Sequence, residues 1–288
     1  MRRLALAAAL IACSPHASQP ANVETPAATS PGEEKPAGSP GCGKAAATGV
    51  HTRTVTAMNK PRTYTLVVPD DYHPKQPYPV VFALHGNGGS GARVRTALDL
   101  EKPAGGKAIF VYPDAVGGGW DLDAETGKNR DVALFDLVLL ELHGSLCVDE
   151  HRVFVTGFSN GAYMANQLAC KRGERIRAVA THSGGGPYEN GGSYDDQGHL
   201  LCPGKAVASL VIHGASDTSV LPSEGQKSIE HWSFANRCSG GSSPMGPPAC
   251  VTMNGCVQPV TACKVPGLGH GVWSEAKRLI WSFFDALR

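Results

Sequence analysis

Runs rich in apolar residues recur along the chain from residue 80 and are separated by segments in which apolar residues have a helical spacing. The run at 80–84 is continuously apolar, and the others lie at 108–112, 152–156, 176–180 and 208–213. Continuous apolar runs are typical of strands that are covered on both faces of a parallel sheet. Strands that alternate with helices predict an α/β protein with a mainly parallel central sheet and helices on both faces.

Helices and an opening hairpin complete this pattern. Helices are predicted at about 92–100, 131–142 and 274–287, and from the end of a turn at 157–161 to Cys170. Asp131 can cap the second of these helices. Two runs rich in Val, Thr and Tyr, 52–58 and 62–68, are separated by a short turn and predict an N-terminal antiparallel hairpin.

The N-terminus is typical of an export signal. Arg2 and Arg3 precede an apolar stretch that is far shorter than the roughly 20 residues of a membrane-spanning helix. The stretch ends in Leu10-Ile11-Ala12-Cys13, which resembles the lipobox of bacterial lipoproteins. We expect residues 1–12 to be a lipoprotein-type signal peptide and Cys13 to be lipidated; an ordinary signal peptide with an incidental Cys13 is the alternative.

A segment rich in Pro, Ala and Ser follows, residues 13–41, and it contains no aromatic residue. Such a composition buries too little apolar surface to order itself, and it predicts a tether. Residues 42–288 are then the folded domain, in which we expect any catalytic site to lie. We expect an exported protein, either anchored by lipid in a bacterial cell envelope or secreted, that contacts a membrane through its N-terminal lipid only.

Charge and cysteine content narrow the possible partners. The 26 Lys and Arg nearly balance the 25 Asp and Glu, so we expect no nucleic-acid partner. We also expect a monomer. Eight cysteines remain beside Cys13, without a CxxC pair. In an exported protein this even number predicts disulfides and no metal site.

Gly157-Phe158-Ser159-Asn160-Gly161 has the G-x-S-x-G pattern of a nucleophile elbow, a tight turn that presents a serine hydroxyl between a strand and a helix. The pattern alone is short, but it occurs once, after a predicted strand and before a predicted helix. This context favours Ser159 as a nucleophile over a plain glycine-rich turn.

A nucleophilic serine needs a base and an acid, which in this arrangement follow it in the order acid, then histidine. Asp217 lies just after the strand 208–213, whereas its rivals Asp195 and Asp196 have no apolar strand before them. Two histidines follow Asp217. His231 has the pattern of a helix residue, and His270 lies in a glycine-rich loop, so His270 is the predicted base.

The tetrahedral intermediate of such a reaction needs N–H donors for its oxyanion. The backbone of Asn160, directly after the nucleophile, is the first expected donor. The second is expected in the loop His85-Gly86-Asn87-Gly88-Gly89, at Asn87, with Gly88 as the alternative. We expect substrate to contact this loop at His85 and Gly88; a merely tight strand–helix turn is the alternative.

With these motifs the chain resembles the secreted esterases that include feruloyl esterases, acetyl xylan esterases and polyhydroxybutyrate-depolymerase-like proteins. The resemblance extends over 41–287 and rests on short matches along the whole domain. They are Leu84-His85-Gly86, Val111-Tyr112-Pro113-Asp114, the elbow, His213-Gly214-Ala215-Ser216-Asp217, Asn236-Arg237-Cys238, Gly269-His270 and Ile280-Trp281-Ser282-Phe283-Phe284.

The resemblance implies an α/β-hydrolase fold and hydrolysis, without a cofactor, of feruloyl or acetyl esters on plant cell-wall polysaccharide. It departs from the family at Gly271-Val272-Trp273, where Trp-Pro often stands, and at the Gly/Pro-rich segment 239–262. Trp120 and Trp273 are candidate substrate contacts, although an isolated Trp120 is equally compatible with a core position.

The topology implied by the fold also divides the cysteines into two spatial groups. Three of them, with Cys42 as a possible fourth, should lie at the edge of the sheet opposite the catalytic loops, and the other four should pair among themselves. The first group is Cys147, Cys170 and Cys202, and the second is Cys238, Cys250, Cys256 and Cys263.

Other functions fit parts of this pattern. A polyester depolymerase, an acetyl esterase or a peptidase could use the same three residues. A lipid-anchored binding protein could keep the fold without turnover. The complete set of serine, acid and histidine argues against pure binding, because binding alone does not need it.

Overall fold

A ten-stranded mixed sheet organises residues 38–287, the part of the chain that the computed structural model describes. The strands are β1 Gly49–Ala57, β2 Lys60–Val68, β3 Tyr78–Leu84, β4 Ile109–Pro113, β5 Val148–Phe158, β6 Ala178–His182, β7 Ala208–Gly214, β8 Ser242–Met245, β9 Cys250–Met253 and β10 Val260–Val265. The helices are α1 Gly91–Leu98, α2 Glu101–Ala104, α3 Arg130–Ser145, α4 Asn160–Lys171, α5 Pro222–Ala235 and α6 Ala276–Asp285.

The sheet order is β1-β2-β4-β3-β5-β6-β7-β10-β9-β8. The six central strands from β4 to β10 run parallel, and an antiparallel pair extends the sheet at each end. The carboxyl ends of the parallel strands therefore meet at one edge, where parallel sheets place their sites. The predicted α/β-hydrolase fold with an N-terminal hairpin is confirmed.

Two apolar cores cover the two faces of the sheet, and β3 shows why. All its residues are buried, and successive side chains point to opposite faces. Phe82 packs into the core that contains α3 and α4, while Val81 packs into the core that contains α1 and α6. A strand that is buried on both faces cannot alternate in polarity, which accounts for the continuous apolar runs in the sequence.

The Gly/Pro-rich segment 239–262 forms strands that the sequence analysis did not predict. It contains β8, β9 and the start of β10, which add an antiparallel pair beside the parallel centre. The first two strands are short, and β8 is largely exposed and includes Pro244. Short strands of low strand propensity are stabilised by pairing with the sheet. The local sequence therefore does not predict them.

The described chain begins inside the predicted tether. Residues 38–41 pack against the domain: Ser39 is buried, and its hydroxyl donates to the carbonyl of Leu146 at 2.6 Å. The predicted signal peptide, Cys13 and most of the predicted tether lie outside the described residues. No helix within 38–287 combines the length and apolarity that a membrane crossing needs.

Four disulfides connect the eight cysteines in the two predicted groups. They are Cys42–Cys147, Cys170–Cys202, Cys238–Cys256 and Cys250–Cys263. Four structural disulfides are typical of proteins that fold in an oxidising compartment, in agreement with the expected export.

Candidate active site

Ser159 lies in the tight turn between β5 and α4. Its φ of 56° and ψ of −122° are rare for a residue with a side chain, and such strain is typical of functional turns. The turn closes only because glycines flank it: a Cβ on Gly157 would overlap the carbonyl of Gly161, and a Cβ on Gly161 would overlap the carbonyl of Leu84. The serine thus stands at the positive end of α4.

The three residues predicted as a triad form one hydrogen-bonded chain. His270, between β10 and α6, places Nε2 at 3.0 Å from Oγ of Ser159 and Nδ1 at 2.8 Å from Oδ2 of Asp217. The Asp217 side chain is fully buried, and that of His270 is 22% exposed. The three side chains come from loops that follow three different parallel strands, so the sheet edge brings them together.

The rival residues lie elsewhere. Asp195 accepts hydrogen bonds from His199, which lies four residues later in the chain. His231 is buried beside the Cys170–Cys202 disulfide, with Nε2 at 3.3 Å from Sγ of Cys202. His231, Cys170 and Cys202 are also, among the described residues, the one group whose metal-ligating atoms lie close together. Both sulfurs, however, are bonded in the disulfide.

The electrostatics of Asp217 favour its charged form. Burial by itself raises the pKa of this carboxyl, but hydrogen bonds from His270 and from the backbone N–H groups of Val220 and Ser219 outweigh burial and lower the pKa below its ordinary value. The two backbone donors lie 2.9 Å from Oδ1. The carboxylate is therefore ready to orient and stabilise a protonated imidazole.

The predicted oxyanion donors differ in whether their backbone N–H groups are already used in hydrogen bonds. Within the described residues, neither Asn160 nor Asn87 donates its backbone N–H to any acceptor. The N–H of Gly88 is used, because it donates to the carbonyl of Gly118 at 2.8 Å. Of the two sequence candidates for the second donor, the geometry favours Asn87.

His85 supports the loop and does not line an open surface. It is 1% exposed, and its Nε2 accepts the backbone N–H of Ala115 at 3.0 Å. Trp120 is 6% exposed and donates its indole N–H to the carbonyl of His85 at 2.7 Å. Both side chains are packed inside, where they hold the loop that carries Asn87. Contact of either side chain with substrate stays a prediction.

The other two expected substrate contacts are more open. Gly88 adopts a left-handed conformation with φ of 68°, and a Cβ there would meet no atom within 4 Å. Trp273 is half-buried against the core that contains α6. Its backbone N–H donates to Nε2 of His182 at 2.9 Å.

His182 and a buried ion pair were missed by the sequence-based reasoning. His182 ends β6 beside the triad, and burial, followed by the nearby His213 and His270, lowers its pKa to about 3. Its position after an apolar strand could have indicated it, because the ends of parallel strands converge. Arg62 and Asp131 lie far apart in the sequence, and no local pattern predicts their contact.

Sequence relatives identify the family of this chain, whereas no family model matches it. A probable feruloyl esterase C from Aspergillus niger is 36% identical over 270 residues, which cover 87% of this chain and 92% of that protein. Feruloyl esterase C from Emericella nidulans is 35% identical over 271 residues with the same coverage. The chain belongs to the feruloyl esterase family. It is therefore a carboxylic ester hydrolase, as the resemblance implied.

Solved structures show the same fold as this feruloyl esterase family member. An acetyl xylan esterase from Aspergillus awamori matches with a TM-score of 0.60 and 19% identity, covering 81% of this chain and 99% of that one. A ferulic acid esterase from Anaeromyces mucronatus, in complex with ferulic acid, matches with a TM-score of 0.54 and 17% identity, covering 83% and 90%.

Proposed function

We propose that the protein is a serine esterase that works through an acyl-enzyme on Ser159, with Asp217 and His270 as acid and base. The observation that carries the proposal is the unbroken hydrogen-bonded chain from Ser159 through His270 to Asp217. A serine hydroxyl in hydrogen-bond reach of a histidine that is itself oriented by a buried carboxylate is the arrangement that nucleophilic catalysis requires.

The reaction follows from this geometry in two halves. His270 removes the Ser159 proton while Oγ attacks the ester carbonyl, and the backbone N–H groups of Asn160 and Asn87 bind the resulting oxyanion. His270 then returns the proton to the leaving alcohol, which leaves an acyl-serine. Water attacks the acyl-serine with His270 as base again, and the acid and free Ser159 are released.

The proposed substrates are feruloyl or acetyl esters on plant cell-wall polysaccharide. The names of the relatives, which share about a third of the residues over most of the chain, support a feruloyl ester. The two solved structures add only the architecture, because their identities lie below 20%. A Cβ on Gly88, in the predicted oxyanion loop, would meet no atom within 4 Å, so this part of the loop is open.

The test compares wild type, Ser159→Ala and the control Ser145→Ala on four esters: methyl ferulate and p-nitrophenyl acetate, butyrate and octanoate. Ser145 lies at the exposed end of α3, and its hydroxyl bonds only the carbonyl of Glu141. We expect turnover in wild type and in the control, and a loss of several orders of magnitude in Ser159→Ala. Full turnover in Ser159→Ala would remove Ser159 from the mechanism.

The ranking of the four esters tests the substrate proposal separately. A preference for methyl ferulate over the alkyl esters supports a feruloyl esterase, and a preference for acetate supports an acetyl esterase. A preference for the octanoate ester would contradict both and would favour a lipase-like acyl site.

For cellular location we propose export with an anchor on Cys13, which rests on the sequence Leu10-Ile11-Ala12-Cys13 alone. In a bacterial host that lipidates exported proteins, we expect the full chain to sediment with membranes and Cys13→Ser to remain in the supernatant. Equal distribution of the two proteins would contradict the anchor and leave ordinary secretion.

A further inference from the structure

His182 connects the nucleophile to the loop that carries the base. Its backbone carbonyl accepts the N–H of Ser159 at 2.9 Å, and its imidazole Nε2 accepts the N–H of Trp273 at 2.9 Å. Trp273 follows His270 by three residues in the chain. One buried residue therefore makes a contact on each side of the Ser159–His270 pair.

The loop around His270 needs such a contact. Glycines at 267, 269 and 271 alternate with other residues, and glycine gives the backbone the most conformational freedom. Before His270 the loop is held where the N–H of Ser216 donates to the carbonyl of Leu268 at 2.9 Å. After His270 the corresponding bond is the one from Trp273 to His182.

The His182 ring is buried among an aromatic ring and a hydroxyl group. Phe158 packs between two histidines, with ring centroids 5.6 Å from His182 and 5.0 Å from His270. His182 is 0% exposed, and its Nδ1 lies 3.0 Å from the hydroxyl of Ser183. Since Nε2 accepts a hydrogen bond, the proton of the neutral ring belongs on Nδ1.

We propose that His182 is a positioning residue, which holds the His270 loop at the distance that Ser159 requires by accepting the Trp273 N–H on an unprotonated Nε2. The inference rests on the proposed triad. A protonated His182 could not accept this hydrogen bond. Burial, with His213 and His270 close by, keeps the ring neutral and lowers its pKa to about 3, while the nearby Asp217 acts in the opposite direction.

The first test compares His182→Leu with His182→Gln, whose side-chain oxygen can accept the Trp273 N–H. Small displacements of reacting groups can cost about 100-fold in rate, so we expect kcat to fall by about 10- to 100-fold in His182→Leu with KM within about twofold. We expect His182→Gln to recover at least about tenfold of the loss. Wild-type kcat in His182→Leu, or no recovery in His182→Gln, would overturn the proposal.

The matched control is His231→Leu. His231 is also a buried histidine with a lowered pKa, but it lies beside the Cys170–Cys202 disulfide. A purely structural effect of losing a buried imidazole should lower stability in both Leu variants, whereas only His182→Leu should lose kcat. Equal kcat losses in both would overturn the proposal.

A second measurement needs no variant and no activity. Nitrogen chemical shifts of the His182 ring in the wild-type protein report which nitrogen carries the proton, and we expect the Nδ1–H tautomer, neutral at pH 5. An Nε2–H tautomer or a charged ring would overturn the proposal even if Ser159 is the nucleophile. Conversely, turnover that survives in Ser159→Ala would overturn the proposed triad and leave this ring assignment intact.

Discussion

The guanidinium of Arg62 donates a 2.6 Å hydrogen bond to the carboxylate of Asp131 inside the domain, where the side chains are 2% and 0% exposed. Arg62 also donates to the carbonyl of Asp114 at 2.9 Å, and Asp131 accepts the N–H of Asp121 at 2.7 Å. The pair therefore fixes both ends of the loop 114–121. This loop carries Trp120 and, through Gly118, contacts the predicted oxyanion loop.

Removing one partner of this ion pair should destabilise the folded protein. We expect Asp131→Leu to lower the free energy of unfolding by about 3–5 kcal/mol, because it leaves a buried guanidinium without its counter-charge. Urea unfolding measures this. The double variant with Arg62→Met should recover part of the loss, since it removes both charges.

The control for the ion pair is Lys277→Ala. Lys277 contacts Asp99 at 2.7 Å, but the two side chains are 36% and 43% exposed, and such pairs contribute about 1 kcal/mol or less. A loss in Asp131→Leu no larger than the control loss would contradict the role given to the buried pair.

Trp120 should act through the loop and not through contact with substrate. In Trp120→Phe the carbonyl of His85 loses its buried donor, which should cost about 1–3 kcal/mol of stability. We expect the rates on all four test esters to fall by a similar factor, with their ranking unchanged. A changed ranking would show that the indole lines the acyl site.

Asp217 should be the acid of the triad. We expect Asp217→Asn to lower kcat by about 10⁴-fold, as loss of this carboxylate does in other Ser-His-Asp enzymes. Steady-state kinetics on p-nitrophenyl acetate measures it. Asp195→Asn is the matched control, because Asp195 bonds His199 away from Ser159; a comparable loss there would contradict the assignment.

Stability should depend on pH through the buried histidines. Burial lowers the pKa of His231 from 6.5 to about 4, so below about pH 6.5 the unfolded chain binds a proton that the folded protein does not. The free energy of unfolding therefore falls as the pH falls toward 4, by at most about 1.4 kcal/mol per pH unit for this group.

The variant His231→Leu removes this contribution. We expect its urea midpoint to change less between pH 6 and pH 5 than that of wild type, with Ser145→Ala as the control that keeps the wild-type pH dependence. Identical pH dependence in His231→Leu and wild type would show that His231 is protonated in the folded protein or does not contribute.

Much of the fold and of the candidate active site could be predicted because the signals are local. The elbow is read from five consecutive residues around Ser159, and the chain order then leaves few candidates for Asp217 and His270. Continuous apolar runs located the central strands. The predicted strand at 176–180 is shifted by two residues from β6, and this shift hid His182 at the strand end.

The features that were missed depend on contacts distant in the sequence. The inward packing of His85 and Trp120 depends on the hydrogen bonds from Ala115 to His85 and from Trp120 to the His85 carbonyl, which composition does not reveal. The choice between Asn87 and Gly88 depends on which N–H the neighbouring loop occupies. The edge strands β8 and β9 form by pairing, and their own residues favour strands weakly.

The measurement that tests the central claim most directly is labelling with a p-nitrophenyl alkylphosphonate, which transfers its phosphonyl group to an activated serine. Intact-mass and peptide analysis should find one phosphonyl group per chain, on Ser159, with turnover lost in proportion to labelling. The reaction should be at least 100-fold slower in His270→Ala, because the base that activates Oγ is absent. Labelling of another residue, or full turnover by protein labelled on Ser159, would contradict the proposed mechanism.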